Sequence, residues 1–388
     1  MHRRHILFGG LGVALSRPGR AAARRKIVVA LFDGFGPDYL ATSDMPTLKR
    51  IAAAGGVKSG KGMIPSVTNV NNASLATGTF PDQHGITTNF YYDPTTGTAE
   101  EMKSPSFLLR PTILEKARRR GWKTAIVSSK DKVRTLCSGG AMIAASAEKP
   151  EPRFLEIAGP RESMYSAAVN YWSLRVARHL LKAEGVDLLY LSTTDYMMHT
   201  YAPEQEPSLE HLHTLDKMIA DILDDHPAIE LYLSADHGMN AKTDALDPIR
   251  LLRAQGVDAA AAPIISDNHK VHHQDLGGTY YIYLRNRTEA ARAIAALKGA
   301  PEVEDAYNRD QTAKLFRLHK DRIGDLFVLA RKNAVFGNLA ELRTTVRVRT
   351  HGSRHEAAVP LVAHGRKVDL ARYEYNVDLT RHLSLDRV

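Results

Sequence analysis

With 388 residues, 44% hydrophobic and 24% charged, the chain can bury a large core and carry an inserted smaller domain, which excludes a disordered or fibrous protein. The formal net charge of +9 would suit a nucleic-acid surface, but the basic residues are spread along the chain without an aromatic-studded stripe, so no nucleic-acid partner is expected. A single cysteine, Cys137, excludes an intramolecular disulfide and any cysteine-based zinc module, and reads as a small buried hydrophobe.

Residues 1–25 read as an address. Arg3 and Arg4 precede a short apolar run from Ile6 to Leu15, and Ala21 to Ala23 supply small residues suited to cleavage. The run is too short to span a bilayer, so no stable membrane association is expected. The segment resembles a twin-arginine export signal, though Arg17, Pro18 and Arg20 after the apolar run are untypical. A periplasmic location is the expectation; a disordered tail or a misassigned start would leave it cytoplasmic.

From Arg25 onward strand and helix patterns alternate. Ile27 to Phe32 is a continuous apolar run suited to a strand buried on both faces, and Pro46 to Ala54 reads as a helix with proline in its first turn. Lys123 to Ser128 and Val186 to Ser192 repeat the strand signature. Val169, Trp172, Val176 and Leu180 recur at helical spacing between them, as do Leu212, Leu215, Ile219 and Ile222 before a strand at Glu230. The expected fold is α/β, a doubly wound, mostly parallel sheet with helices on both faces. Residues 26–262 and 346–388 form the expected core. Residues 263–345 read as an inserted α+β cap, with strands at Thr279 to Leu284 and Leu326 to Ala330 around a helix from Glu289 to Leu297. The loop-rich stretch 130–162 is assigned as a candidate to join that cap.

Ligands of such sheets collect at the carboxyl ends of the strands, and there the sequence places three Asp and three His. Asp33 follows the first strand, Asp195 and His199 follow Ser192, Asp236 and His237 follow Ser234, and His351 follows Val346 to Val348. Singly, each is more often a cap, a turn or a surface group. Jointly, at one sheet edge, they would hold two divalent ions. Asp195 and His199 share a face at i and i+4, whereas Asp236 and His237 need an irregular backbone that Gly238 would allow. The rival cluster His269, His272 and His273 sits in a polar linker and is expected to be solvated or to line the cap.

Thr68, in Pro65-Ser66-Val67-Thr68-Asn69-Val70-Asn71-Asn72, opens a predicted helix. Alone it reads as a helix cap. Beside a divalent cation its hydroxyl becomes a nucleophile, and the helix N-terminus favours incoming phosphoryl oxygens.

These residues carry a resemblance. Phe32-Asp33-Gly34, Pro65 to Asn69, Asn72 with Thr77-Gly78, Thr193-Thr194-Asp195 with His199, Ser234 to Met239 and Thr350-His351-Gly352 resemble the alkaline phosphatase superfamily, in its nucleotide pyrophosphatase/phosphodiesterase branch, in order along nearly the whole chain after residue 26. The Thr-Asn-Val-Asn-Asn run, Ser129 to Lys132 and Thr193 to Tyr196 are most similar to the phosphonoacetate hydrolases. The resemblance implies zinc at Asp195, His199 and His351, and a second zinc at Asp33, Asp236, His237 and the Thr68 oxygen, with manganese or iron as alternatives. It also implies Asn89 as a donor to the transferring group, and Lys130 and Lys132 as partners of a substrate carboxylate and phosphonate. The implied reaction cleaves the C–P bond of phosphonoacetate through a phosphothreonine. The alternative is a phosphodiesterase or nucleotide pyrophosphatase using Phe90, Tyr91 and Tyr92 as a base slot. The expected partner is a small anionic phosphonate or phosphate ester, with a homodimer allowed. Arg354 and His355 fit no part of this pattern.

Overall fold

The computed structural model describes residues 25–93, 96–265, 273–366, 368–383 and 385. The export-signal expectation for residues 1–24, and the residues His269 and His272, lie outside the described residues. The strands in chain order are β1 (Ile27–Leu31), β2 (Val57–Lys61), β3 (Phe90–Asp93), β4 (Thr98–Glu101), β5 (Thr124–Ser128), β6 (Ile143–Ser146), β7 (Leu188–Ser192) and β8 (Glu230–Ser234). They continue with β9 (Asn240–Leu246), β10 (Ala259–Pro263), β11 (Thr279–Leu284), β12 (Val303–Asn308), β13 (Leu326–Ala330), β14 (Ala334–Phe336), β15 (Arg343–Thr350) and β16 (Ala358–His364).

Seven strands form the central sheet in the order β2-β16-β8-β1-β7-β5-β6. From β8 to β6 the pairing is parallel, and β16 runs antiparallel to both β8 and β2. Every residue of β1, β5, β7 and β8 is buried, which matches their uninterrupted apolar runs. Helix Ala168–Lys182 packs on this sheet and helix Glu206–Asp225 packs against that helix, with the apolar positions read from the sequence buried: Val169, Trp172, Val176 and Leu180 on the first and Leu212, Leu215, Ile219 and Ile222 on the second. Cys137 is buried, and burial pushes its thiol up to about 12.

Buried Asp216, on the second of these helices, accepts from the Thr47 and Leu48 amides at 2.8 and 2.9 Å, and so serves the open N-terminus of helix Pro46–Ala53. Asp216→Ala is expected to lower stability by about 1 to 3 kcal/mol, read from a denaturant midpoint, while metal content stays unchanged.

Three stretches depart from expectation. Residues 130–162 do not form a loop-rich addition to the cap: helix Asp131–Cys137, β6 and helix Pro152–Ala158 belong to the core, with β6 as the sheet's edge strand. These elements are short, so periodicity had little length in which to register. A four-stranded antiparallel sheet, β10-β11-β13-β12, occupies much of the stretch read as the cap, but its first strand begins at Ala259, inside the stretch read as core. Its run of small alanines carries no strand signal. β9 pairs with β15 on one side and with β14 on the other in a separate three-stranded sheet. No helix among the described residues is long and apolar enough to cross a membrane.

Candidate active site

The strand register assembles the site. Leu31, Ser192 and Ser234 are partners across β1, β7 and β8, and Ser128 of β5 is level with Ser192. Two or three residues beyond this line stand Asp33, Asp195, Asp236 and Lys130. Asp33 is fixed by its own amide, which donates to Thr193 Oγ1 at 2.9 Å. The turn after it needs Gly34 at φ 74°, because a Cβ there would lie 3.1 Å from Asp195 Cβ and 3.2 Å from Met198 Cβ. Asp236 Oδ1 accepts from the Gly34 and His237 amides at 3.0 Å each, so the two carboxylates share one backbone frame. Gly238 does not adopt a positive φ: the chain turns without it, and its amide donates to the Glu356 carbonyl at 2.7 Å. Gly352, at φ 114°, supplies the left-handed turn after His351.

All three histidines are oriented the same way. Nδ1 of His199, His237 and His351 faces the carbonyls of Arg349, Gly238 and Ser66 at 2.6, 3.0 and 2.7 Å. A carbonyl only accepts, so each Nδ1 carries the proton and each Nε2 presents a lone pair. Those lone pairs meet carboxylates: His199 Nε2 lies 3.0 Å from Asp195 Oδ2, His351 Nε2 lies 3.7 Å from the same oxygen, and His237 Nε2 lies 3.4 and 3.5 Å from Asp33 Oδ1 and Asp236 Oδ2. The His237 and His351 rings stack at 3.4 Å. Asp33 Oδ1, Asp236 Oδ2 and His237 Nε2 are buried without hydrogen-bond partners. Converging acceptors without donors fit a cation.

The ligand atoms of Asp33, Asp236 and His237 lie within 4.8 Å of one another, as do those of Asp195, His237 and His351, so His237 joins the groups into one continuous cluster. Burial, with Asp195 and Asp236 nearby, pushes the Asp33 carboxyl well up; burial pushes Asp236 up to about 6. Burial also opposes ionisation of Asp195, but the Lys130 ammonium outweighs it and holds that carboxyl well below its ordinary range. Burial, reinforced by the neighbouring rings, holds His351 well below its usual value.

Thr68 is the first residue of helix Thr68–Thr77, every residue of which is buried. The cap position belongs to Val67, and no side chain caps the helix, so the Thr68 hydroxyl is not spent there. Ser66 ties this entry to the His351 loop: its hydroxyl accepts from the Gly352 amide at 3.1 Å and donates to the Ser353 carbonyl at 2.7 Å. Asn89 Oδ1 accepts from the Asn69 amide at 2.9 Å, which turns the Asn89 side chain toward the helix start.

The structure separates the two lysines. Lys130 Nζ donates to Asp33 Oδ2 at 2.7 Å and Asp195 Oδ1 at 2.8 Å, bridging carboxylates from both groups. Lys132 lies 3.5 Å from Glu101 of β4, and both lysines line a pocket of about 390 Å³ with Phe90. Tyr91 and Tyr92 are instead packed against Phe107 and Tyr283, with ring centroids 6.3 and 4.6 Å apart. His273, expected in a solvated linker or lining the cap, is buried, with its ring centroid 6.4 Å from that of His199. A residue in a polar stretch gave no sign of that neighbour.

A metal-ready carboxylate and imidazole edge of this kind, above a mostly parallel sheet, marks a hydrolase of the alkaline phosphatase superfamily, and the same fold returns in solved structures. Phosphonoacetate hydrolase from Sinorhizobium meliloti 1021, in complex with phosphonoformate, superposes with a TM-score of 0.86 at 30% identity, over 93% of this chain and 95% of that one. The chain belongs to the type I phosphodiesterase / nucleotide pyrophosphatase family, whose model matches residues 27–354. Human ectonucleotide pyrophosphatase/phosphodiesterase family member 1 is 27% identical over 222 residues, 53% of this chain but 23% of that protein, so the chain spans about a quarter of that relative's length. Murine ectonucleotide pyrophosphatase/phosphodiesterase 5, in an inactive form with AMP, shares the fold at 16% identity and a TM-score of 0.65, over 92% of each chain.

Proposed function

We propose that the protein hydrolyses the C–P bond of phosphonoacetate, with Thr68 as nucleophile. The observation that supports this reading best is the likeness to phosphonoacetate hydrolase over nearly the full length of both chains. Asp195, His199 and His351 would hold one divalent cation, and Asp33, Asp236, His237 and the Thr68 oxygen the other. Two such ions, zinc in this reading, supply Lewis acidity that lowers the pKa of a coordinated hydroxyl or water and offsets charge on the phosphonyl oxygens. The Thr68 oxygen attacks phosphorus as the P–C bond breaks. The bonding pair leaves on the methylene carbon, spreads into the carboxylate as an enediolate and takes up a proton to give acetate. Water then hydrolyses the phosphothreonine, releasing phosphate and restoring Thr68. Asn89 donates to the transferring group, and the amides at the helix start face its oxygens.

In this reading the lysines have separate roles. Lys132 pairs with the substrate carboxylate, while Lys130, bonded to Asp33 and Asp195, balances their charge. Lys132→Ala is expected to reduce kcat/KM for phosphonoacetate by about tenfold to a hundredfold and that for p-nitrophenyl phosphate much less, since one charge-assisted hydrogen bond contributes about 1.5 to 3 kcal/mol. Lys130→Ala is expected to damage both substrates alike.

A second reading, a nucleotide pyrophosphatase or phosphodiesterase, is favoured by the family match and by Phe90 beside Lys130 in the pocket. Purified protein with zinc or manganese, offered phosphonoacetate, p-nitrophenyl phosphate and a nucleotide diester, separates the two. Phosphate release from phosphonoacetate at least about tenfold faster, some 1.4 kcal/mol in barrier, supports the first reading; a faster diester supports the second.

A further inference from the structure

Ser353-Arg354-His355-Glu356, just after His351, takes no part in the chemistry above. The structure gives these residues a different task. Arg354 and His355 reach outward to Glu304 of β12, at 3.1 and 2.6 Å, and tie the segment to the four-stranded sheet. Glu356 turns inward and is fully buried. Its two oxygens serve two different segments. Oε1 accepts from Asn240 Nδ2 at 2.6 Å and Lys242 Nζ at 2.8 Å, both on β9, which leaves directly from His237-Gly238-Met239. Oε2 accepts from the Ser353 amide at 3.0 Å and the Ser353 hydroxyl at 2.6 Å, two residues after His351.

We propose that Glu356, with Lys242 as its counter-ion, is a positioning residue that fixes the His351 loop against the His237 loop and thereby sets the affinity of the candidate metal centre. The inference rests on the two-metal reading above. The Glu356 carbonyl takes the Gly238 amide, Ser353 is held by Ser66, and the Ser66 carbonyl receives the His351 Nδ1 proton, so a chain of hydrogen bonds links the His237 loop to His351, the two residues whose rings stack. Stacking of two neutral imidazoles does not by itself hold a spacing; the chain of bonds does. The ammonium of Lys242 also donates to the Lys332 carbonyl at 2.7 Å, between β13 and β14, which adds a third segment to the junction. Burial pushes the Glu356 carboxyl up, yet Lys242, Ser353 and Asn240 outweigh it and keep the carboxyl below its ordinary range.

A buried ion pair is often no more stabilising than an apolar pair of the same volume, so stability alone is a weak reason for this one. That difference makes the test. Zinc affinity of the purified full chain is measured by competition with a chromophoric chelator, alongside melting of the chelated protein. Wild type binding no zinc would defeat the two-metal reading itself. Given wild-type binding, Glu356→Gln is expected to weaken the more labile ion by about tenfold to a hundredfold. The paired change Lys242→Met with Glu356→Leu is expected to restore the melting temperature but not the affinity. Affinity that returns together with stability, or is unchanged in Glu356→Gln, overturns the proposal. Should the paired variant fail to fold, Ser353→Ala decides: it keeps the ion pair, removes the 2.6 Å bond to Glu356 together with the 3.1 Å bond from the His355 amide, and must still weaken zinc binding.

Discussion

Thr68→Ala is expected to abolish turnover, by about 10⁴-fold or more, in a protein that still folds and still carries its metal. The size of the effect follows from the role: without the hydroxyl no phosphothreonine forms, and only substrate binding and charge stabilisation remain. Its selectivity follows from the structure. A threonine that capped a helix would cost about 1 kcal/mol on truncation, but here Val67 holds the cap position and no side chain caps the helix. The helix is secured from elsewhere. Asn71 Oδ1 accepts the Met63 amide at 2.6 Å, and Asn72 Oδ1 accepts the Tyr190 hydroxyl at 2.9 Å. The melting temperature of chelated Thr68→Ala should therefore match wild type within error, zinc should still bind through Asp33, Asp236 and His237 but more weakly at that ion, and Thr68→Ser, which keeps a hydroxyl, should recover part of the rate. Retention of a tenth or more of wild-type turnover in the alanine variant would remove Thr68 from the chemistry.

What the sequence could reveal of this site was set by distance along the chain. Asp33, Asp195 and Asp236 were legible because each lies two or three residues past an apolar run, and parallel strands paired in register bring such positions level without further information. His199 was legible as the i+4 partner of Asp195. The orientation of the rings was not, since the carbonyls of Arg349 and Ser66 lie 150 and 285 residues away from the imidazoles they fix. Lys130 shows the same limit from the other side. Its place beyond β5 was apparent, but bridging Asp33 and Asp195 is a property of two neighbouring strands at once.

Polar residues that act by burial left the weakest trace. Lys242 lies in a strand of mixed composition, Asn-Ala-Lys-Thr-Asp-Ala-Leu, where alternation alone makes it a surface residue, and Glu356 follows two basic residues that suggest an exposed turn. Only the fold shows that each is the other's partner. His273 is similar: it lies in a stretch that is polar by composition, yet it is buried beside His199. Residues 130–162 failed for the opposite reason, being a helix, a strand and a helix each too short for periodicity to register.

Asp236→Asn is expected to reverse the order of stabilities between metal-free and metal-loaded protein. Three buried carboxylates, Asp33, Asp195 and Asp236, share one volume with one buried ammonium, Lys130, so ionising all three without added cations would leave excess negative charge. Burial already pushes the Asp236 carboxyl up to about 6, which means that ionising it in the folded protein costs free energy. Asparagine removes that charge and retains an oxygen able to accept from the Gly34 and His237 amides, the two bonds that shape the turn. In excess chelator the variant should melt at or above wild type. Zinc inverts the comparison, because a ligand present at a hundred times its Kd stabilises the folded state by about 2.7 kcal/mol per site, and the variant lacks a full donor set at one of the two. Wild type should then melt higher and bind about two ions per chain, the variant about one, with turnover lost alongside the second ion. A variant less stable than wild type in chelator would show that Asp236 serves the fold as a structural acceptor. One that binds zinc as wild type does would show that the ion sits elsewhere.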